Sequence, residues 1–123
     1  MQDHPSPETI HDLANALLKE ADPGSARAKF ETRMATSALD LVKRSAELQP
    51  GYDAKELIRL TVLLDERGDL DALNRRLCDR IRNGSLTLSS PGLAAHLRAT
   101  TMEKLAIDQP SYAAYRRALE TGE

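Results

Sequence analysis

Aromatic residues are scarce in this sequence: Phe30, Tyr52, Tyr112 and Tyr115 make up 3% of the chain, and there is no Trp. A core must then be assembled from Leu, Ile, Val, Met and Ala, a choice that favours helices. Cysteine is limited to Cys78, which excludes an intrachain disulfide and any metal site built on several thiolates. A basic surplus is missing too: the net charge is -2, which argues against nucleic acid and against an anionic membrane surface as partners. No apolar run reaches the length of a membrane span, and the opening Met1-Gln2-Asp3-His4-Pro5 is polar. A cytoplasmic location is expected from that.

The familiar signatures of chemistry are absent as well. There is no Gly-rich phosphate loop, no His-Glu-x-x-His, no Cys-x-x-Cys and no Gly-x-Ser-x-Gly. No catalytic set, cofactor or metal is therefore expected. The histidines His4, His11 and His96 are far apart in sequence and read as surface or capping residues. Asn83-Gly84-Ser85 has the form of a glycosylation sequon but reads as a helix end followed by a turn.

With 123 residues, 41% hydrophobic and 29% charged, the chain has the make-up of one globular domain over residues 1–123. Apolar periodicity and Pro/Gly breaks predict an all-α fold: a compact antiparallel bundle of five to six helices, over 7–20, 26–48, 54–67, 70–83, 91–107 and from 110 onward. Ser6 and Asp69 are candidate N-caps. Asp22-Pro23-Gly24 closes the first helix, and Pro50-Gly51 stops the second. The third has a marked start: Asp53 as cap, Glu56 as the capping-box carboxylate, Tyr52 and Leu57 as a staple. Leu57, Ile58, Leu60, Val62, Leu63 and Leu64 wrap most of that helix, which predicts a central position, and Gly68 suits its left-handed end. Phe30, Met34, Ala38, Leu41 and Val42 form the apolar face of the second helix. In the fourth, Leu70, Leu73, Leu77 and Ile81 do the same.

The polar groups offer a few clusters. Arg75, Arg76, Arg80 and Arg82 lie within one helix and suit either a phosphate-bearing ligand or a solvated face offset by Asp71 and Asp79. Cys78 sits beside that helix's apolar stripe and reads as a small buried hydrophobe. His96, Thr100, Glu103 and Lys104 share one polar face of the fifth helix, a candidate recognition face. The turn at Gly68 gives the third and fourth helices the outline of a helix-turn-helix, but Asp69, Asp71 and Asp79 beside the arginines oppose a DNA role.

Three segments resemble the signatures of a small bacterial family of formally unknown function. They are Phe30-Glu31-Thr32-Arg33-Met34-Ala35 with Ala38-Leu39; the run from Leu73 to Gly84; and His96-Leu97-Arg98-Ala99-Thr100-Thr101 continuing through Lys104-Leu105-Ala106-Ile107-Asp108 to Pro110-Ser111-Tyr112. Gln2-Asp3-His4-Pro5 fits the same pattern, while Ser37 stands where the family usually has Asn. The resemblance implies genes placed beside an aminoglycoside-phosphotransferase-like kinase and an acyl-CoA dehydrogenase-like protein. It also implies, for a branch in levulinic-acid breakdown, a small partner of the kinase that phosphorylates a 4-hydroxyacyl-CoA. On that basis the chain is expected to be a non-catalytic accessory subunit of a phosphotransferase-like kinase. The alternative is a stand-alone module for acyl-CoA or a phosphometabolite. Arg33, Asn74, Arg82, His96, Arg98 and Lys104, polar residues within the signatures, are the candidates for partner or ligand contact.

Overall fold

The computed structural model describes residues 4–20 and 24–122. Over these residues the chain is all-α, with five helices and no strand. They are α1 (Pro7–Glu20), α2 (Ala26–Leu64), α3 (Leu70–Arg82), α4 (Leu93–Asp108) and α5 (Ala113–Thr121). No helix among the described residues is long and apolar enough to cross a membrane. The helices fall into two compact units, residues 2–49 and residues 50–123.

Several helix starts follow directly from side-chain chemistry. The Ser6 hydroxyl accepts from the Thr9 amide at 3.3 Å, and Ser25 accepts from Ala28 at 2.9 Å. Asp69 accepts from Ala72 at 2.8 Å. Each satisfies an amide that the first helical turn leaves without a partner. Asp22 and Pro23, expected to end the first helix, lie outside the described residues, as do Gln2 and Asp3.

The second and third predicted helices are one. α2 runs through Pro50 and Gly51 without interruption over 39 residues. Proline removes one amide donor and crowds the preceding turn, yet the helix continues, and Pro50 itself is exposed. Asp53, Glu56, Tyr52 and Leu57 therefore do not form a helix start; they lie in mid-helix. The end also moves. α2 stops at Leu64, where Asp65 takes the left-handed conformation with φ 52°, a geometry Asp tolerates better than most residues. Gly68 instead lies 3.6 Å from Leu73, measured from where a Cβ would stand. α4 starts at Leu93 after Gly92 in the left-handed region, and α5 at Ala113 after Tyr112, both later than the sequence predicts.

In the unit of residues 50–123 the core consists of Leu60 and Leu64 from α2, Leu73 and Leu77 from α3, and Leu93 from α4. Leu57, Leu63, Leu70 and Leu86 pack against it. Leu86 brings the segment between α3 and α4 onto this core, while Leu88 is 78% exposed. α2 is not wrapped on all sides: Ile58 and Val62 are exposed. In the unit of residues 2–49, Ala14 of α1 and Ala28, Ala35 and Ser45 of α2 are buried. Small residues at these positions let backbones approach closely. Phe30 and Met34, expected on the packed face, are more than half exposed.

Candidate functional site

The unit of residues 50–123 holds a polar cluster on the inner side of its leucine core. On α2, Glu56 lies one turn before Leu60 and two before Leu64, so the helix period turns it inward. It is 2% exposed. Its Oε1 accepts from Asn74 Nδ2 of α3 at 3.0 Å, and the same amide group donates to the Leu70 carbonyl at 3.1 Å. A buried carboxylate needs such donors, because burial without them is costly.

Arg59, three residues on, points towards α4. Its guanidinium donates to both Glu103 oxygens, at 2.8 and 2.7 Å, in the two-pronged geometry that suits Arg and carboxylate. It donates also to Thr100 Oγ1 at 3.3 Å and, through Nε, to His96 Nδ1 at 3.4 Å. One side chain of α2 thus holds three residues spaced along one face of α4. The bond to Glu103 raises the Arg59 pKa above its ordinary value. Burial, and then the Arg59 charge, push the His96 pKa below its ordinary value. The imidazole is 3% exposed and accepts at Nδ1, the state of a neutral ring. Burial raises the Tyr52 pKa, with Tyr115 and Glu103 adding to the effect.

This arrangement is a clamp between helices. Among the described residues no buried side-chain N or O lacks a hydrogen-bond partner, and no group of three or more His, Cys, Asp and Glu is placed to hold a metal ion. The expected recognition face of α4 is largely spent on this clamp, since His96, Thr100 and Glu103 meet Arg59. His96, expected at the surface, is a buried acceptor instead.

A second feature lies on α3. Its face opposite Leu73 and Leu77 forms an open depression of about 510 Å³ lined by Asp71, Asn74, Arg75, Cys78, Asp79 and Arg82. Cys78 is exposed; it is not the buried hydrophobe its place beside the stripe suggested. Arg82 meets Asp79 only at 3.8 Å, with both side chains largely in solvent. Arg76 and Arg80 turn elsewhere, to Glu66, which takes Arg76 Nε at 3.2 Å and also Arg80. The predicted arginine cluster is thereby divided: two pair with Glu66, and two line the depression.

The candidate contact residues part in the same way. His96 faces inward and serves the clamp, and Asn74 bonds the buried Glu56 while also lining the edge of the depression. Arg82 and Arg98 are exposed on α3 and α4, and Lys104 is half-buried on α4. Arg33 is exposed on the part of α2 that belongs to residues 2–49. Glu56 and Arg59 are the important residues that sequence reading assigned to no site. A signal for Glu56 was present: a lone carboxylate in phase with Leu60 and Leu64. For Arg59 there was none, since its partners lie 37 to 44 residues away.

The chain found no match among curated proteins or among solved structures. A family model does match, that of a domain of unknown function, DUF6285, over residues 23–112. This span contains α2, α3 and α4, and hence every residue of the clamp and of the α3 depression. The chain belongs to the DUF6285 family.

Proposed function

We propose that this chain is a non-catalytic accessory subunit of a phosphotransferase-like kinase acting on hydroxyacyl-CoA in acid catabolism. The observation that carries the reading is a division within its signature segments. Leu73, Leu77 and His96 are buried and serve the fold, whereas Arg82 and Arg98 of the same segments stand in solvent. Arg98 forms no ion pair among the described residues. Polar side chains that do nothing for the fold are the natural contacts for something outside it. Arginine suits a phosphate or a carboxylate on that partner. In such a pair the kinase itself supplies nucleotide and Mg²⁺ binding, and the small subunit shapes or charges the acyl-CoA pocket. The resemblance to the small partner of a 4-hydroxyacyl-CoA kinase points the same way.

The test is co-expression with the phosphotransferase-like kinase encoded nearest to this chain, followed by size exclusion and turnover with a hydroxyacyl-CoA. The expected result is co-elution and faster turnover in the complex, both weakened by Arg98→Glu. Separate elution, with a kinase equally active alone, refutes the reading.

The α3 depression favours a second reading, a stand-alone module for acyl-CoA or a phosphometabolite held by Arg75 and Arg82. Calorimetry of the isolated protein with a CoA ester decides it: heat of binding lost in Arg82→Glu supports the module, and no heat rejects it.

A further inference from the structure

The outer face of α2 between residues 51 and 65 is the least explained surface of the unit of residues 50–123. Leu60 and Leu64 turn towards the core; on the opposite side of the helix lie Gly51, Ala54, Lys55, Ile58 and Val62, with Asp65 just beyond the last turn. Ile58 is 66% exposed and Val62 79%. Two β-branched apolar side chains one turn apart, both in water, form a stripe that nothing in the fold covers. A Cβ added at Gly51 would meet nothing within 4 Å, so the backbone is open to close approach at that end.

The charges flanking the stripe tell what covers it. Lys55 and Asp65 stand at equal distances on either side of Leu60, and so do Ile58 and Val62. Positions 55, 58 and 62 are spaced three and four apart, the spacing of a coiled-coil seam, and Asp65 follows three residues on, exposed just beyond the end of the helix. Neither Lys55 nor Asp65 has an ion-pair partner among the described residues; Lys55 lies 5.7 Å from the centre of the Tyr52 ring. A surface with this symmetry is complementary to itself. Two copies related by a two-fold axis level with Leu60, with their helices antiparallel, bring Ile58 of one against Val62 of the other. The same operation sets Lys55 against Asp65 twice. A parallel pair would oppose like charges at both ends.

We propose that this α2 face is a self-association surface, on which a second copy of the chain packs antiparallel through Ile58, Val62, Lys55 and Asp65. The patch is one helix stripe, so the interface belongs to the small and weak class. The proposal concerns the isolated protein and does not depend on a kinase partner.

Sedimentation equilibrium on the full chain alone, from about 10 μM to about 1 mM, tests it over the range such an interface implies. The expected result is a monomer–dimer equilibrium. Lys55→Glu alone and Asp65→Lys alone each raise the dissociation constant by about tenfold or more, because each sets like charges face to face at both ends. Mixing the two single variants restores association. At one end of the mixed pair the introduced glutamate meets the introduced lysine, and at the other the unaltered Asp65 of one copy meets the unaltered Lys55 of the other. Circular dichroism checks that each variant keeps its helix content. Asp65→Lys occupies a left-handed position, so Val62→Glu, at an open mid-helix site, provides a second and independent disruption. A protein that stays monomeric throughout overturns the proposal and leaves the stripe to a different partner. A dimer indifferent to Lys55→Glu and Val62→Glu, or singles that do not reassociate on mixing, overturns it equally.

Discussion

Truncation of Glu103 is the sharpest test of the clamp. Glu103→Ala removes two charge-assisted hydrogen bonds to Arg59, at 2.8 and 2.7 Å. Such bonds contribute about 1.5–3 kcal/mol each when both partners are in place. Breaking a fully buried ion pair costs about 3–5 kcal/mol, but here water reaches the side chains, which are 24% and 15% exposed. Arg59 also keeps Thr100 and His96 as acceptors. A loss of about 2–3 kcal/mol follows, and about half of that for Glu103→Gln, which retains an acceptor. Urea unfolding followed by tyrosine fluorescence reads it directly, because Tyr52, Tyr112 and Tyr115 all lie within residues 50–123. Arg59→Met combined with Glu103→Ala closes the cycle, with an expected coupling of about 1–2 kcal/mol. A loss below about 0.5 kcal/mol for Glu103→Ala, or strict additivity in the double variant, refutes the clamp as a source of stability.

Acid sensitivity follows from His96. Its pKa is lowered in the folded protein from 6.5 by burial and by Arg59, against the opposing pull of Glu56 and Glu103. The unfolded chain therefore takes up a proton more readily than the folded one. Stability is full above the ordinary value and falls as pH drops below it towards the folded value. His96→Asn, whose Oδ1 can replace Nδ1 as acceptor, should flatten this part of the pH–stability curve, and an unchanged slope would reject the assignment. Leu60→Ala, at a position with no exposure, should cost about 2–5 kcal/mol in the same urea assay, whereas the exposed Val62→Ala should stay within about 0.5 kcal/mol. Cys78, being exposed, should react with a thiol-labelling disulfide in the native protein almost as fast as in urea; strong protection in the native state would contradict its placement.

The sequence foretells five to six helices, but not that α2 is continuous through Pro50. The limits of α1 and α3 are legible because Ser6 and Asp69 are strong local caps whose effect reaches only a few residues. Pro50 misleads, because a breaker with a clear local cost is outweighed there by the contacts of the helix on either side of it. The burial of Leu73 and Leu77 follows from their 3/4 spacing, whereas Leu60 and Leu64 lie in an apolar run that spacing alone does not divide into a buried and an exposed side. The exposure of Ile58 and Val62 is not legible there, since hydrophobicity says which residues prefer burial but not which side of a helix finds a neighbour. The clamp is half visible. His96, Thr100 and Glu103 stand out as one face of α4, but their purpose depends on Arg59, and contacts across some forty residues leave no periodic trace in a single sequence.

Leucines facing leucines hold helices together without fixing where along each other they sit, since neighbouring turns present much the same surface. Arg59 removes that freedom. Sliding α4 along α2 by one turn, about 5.4 Å, would keep apolar contact but carry the Glu103 carboxylate out of reach of the guanidinium, leaving a half-buried charge without its partner. The clamp thus acts as a registration pin. It separates the correct alignment of two helices from near-equal alternatives, and so sets the height along α2 at which the outer face of α4 stands, Arg98 with it.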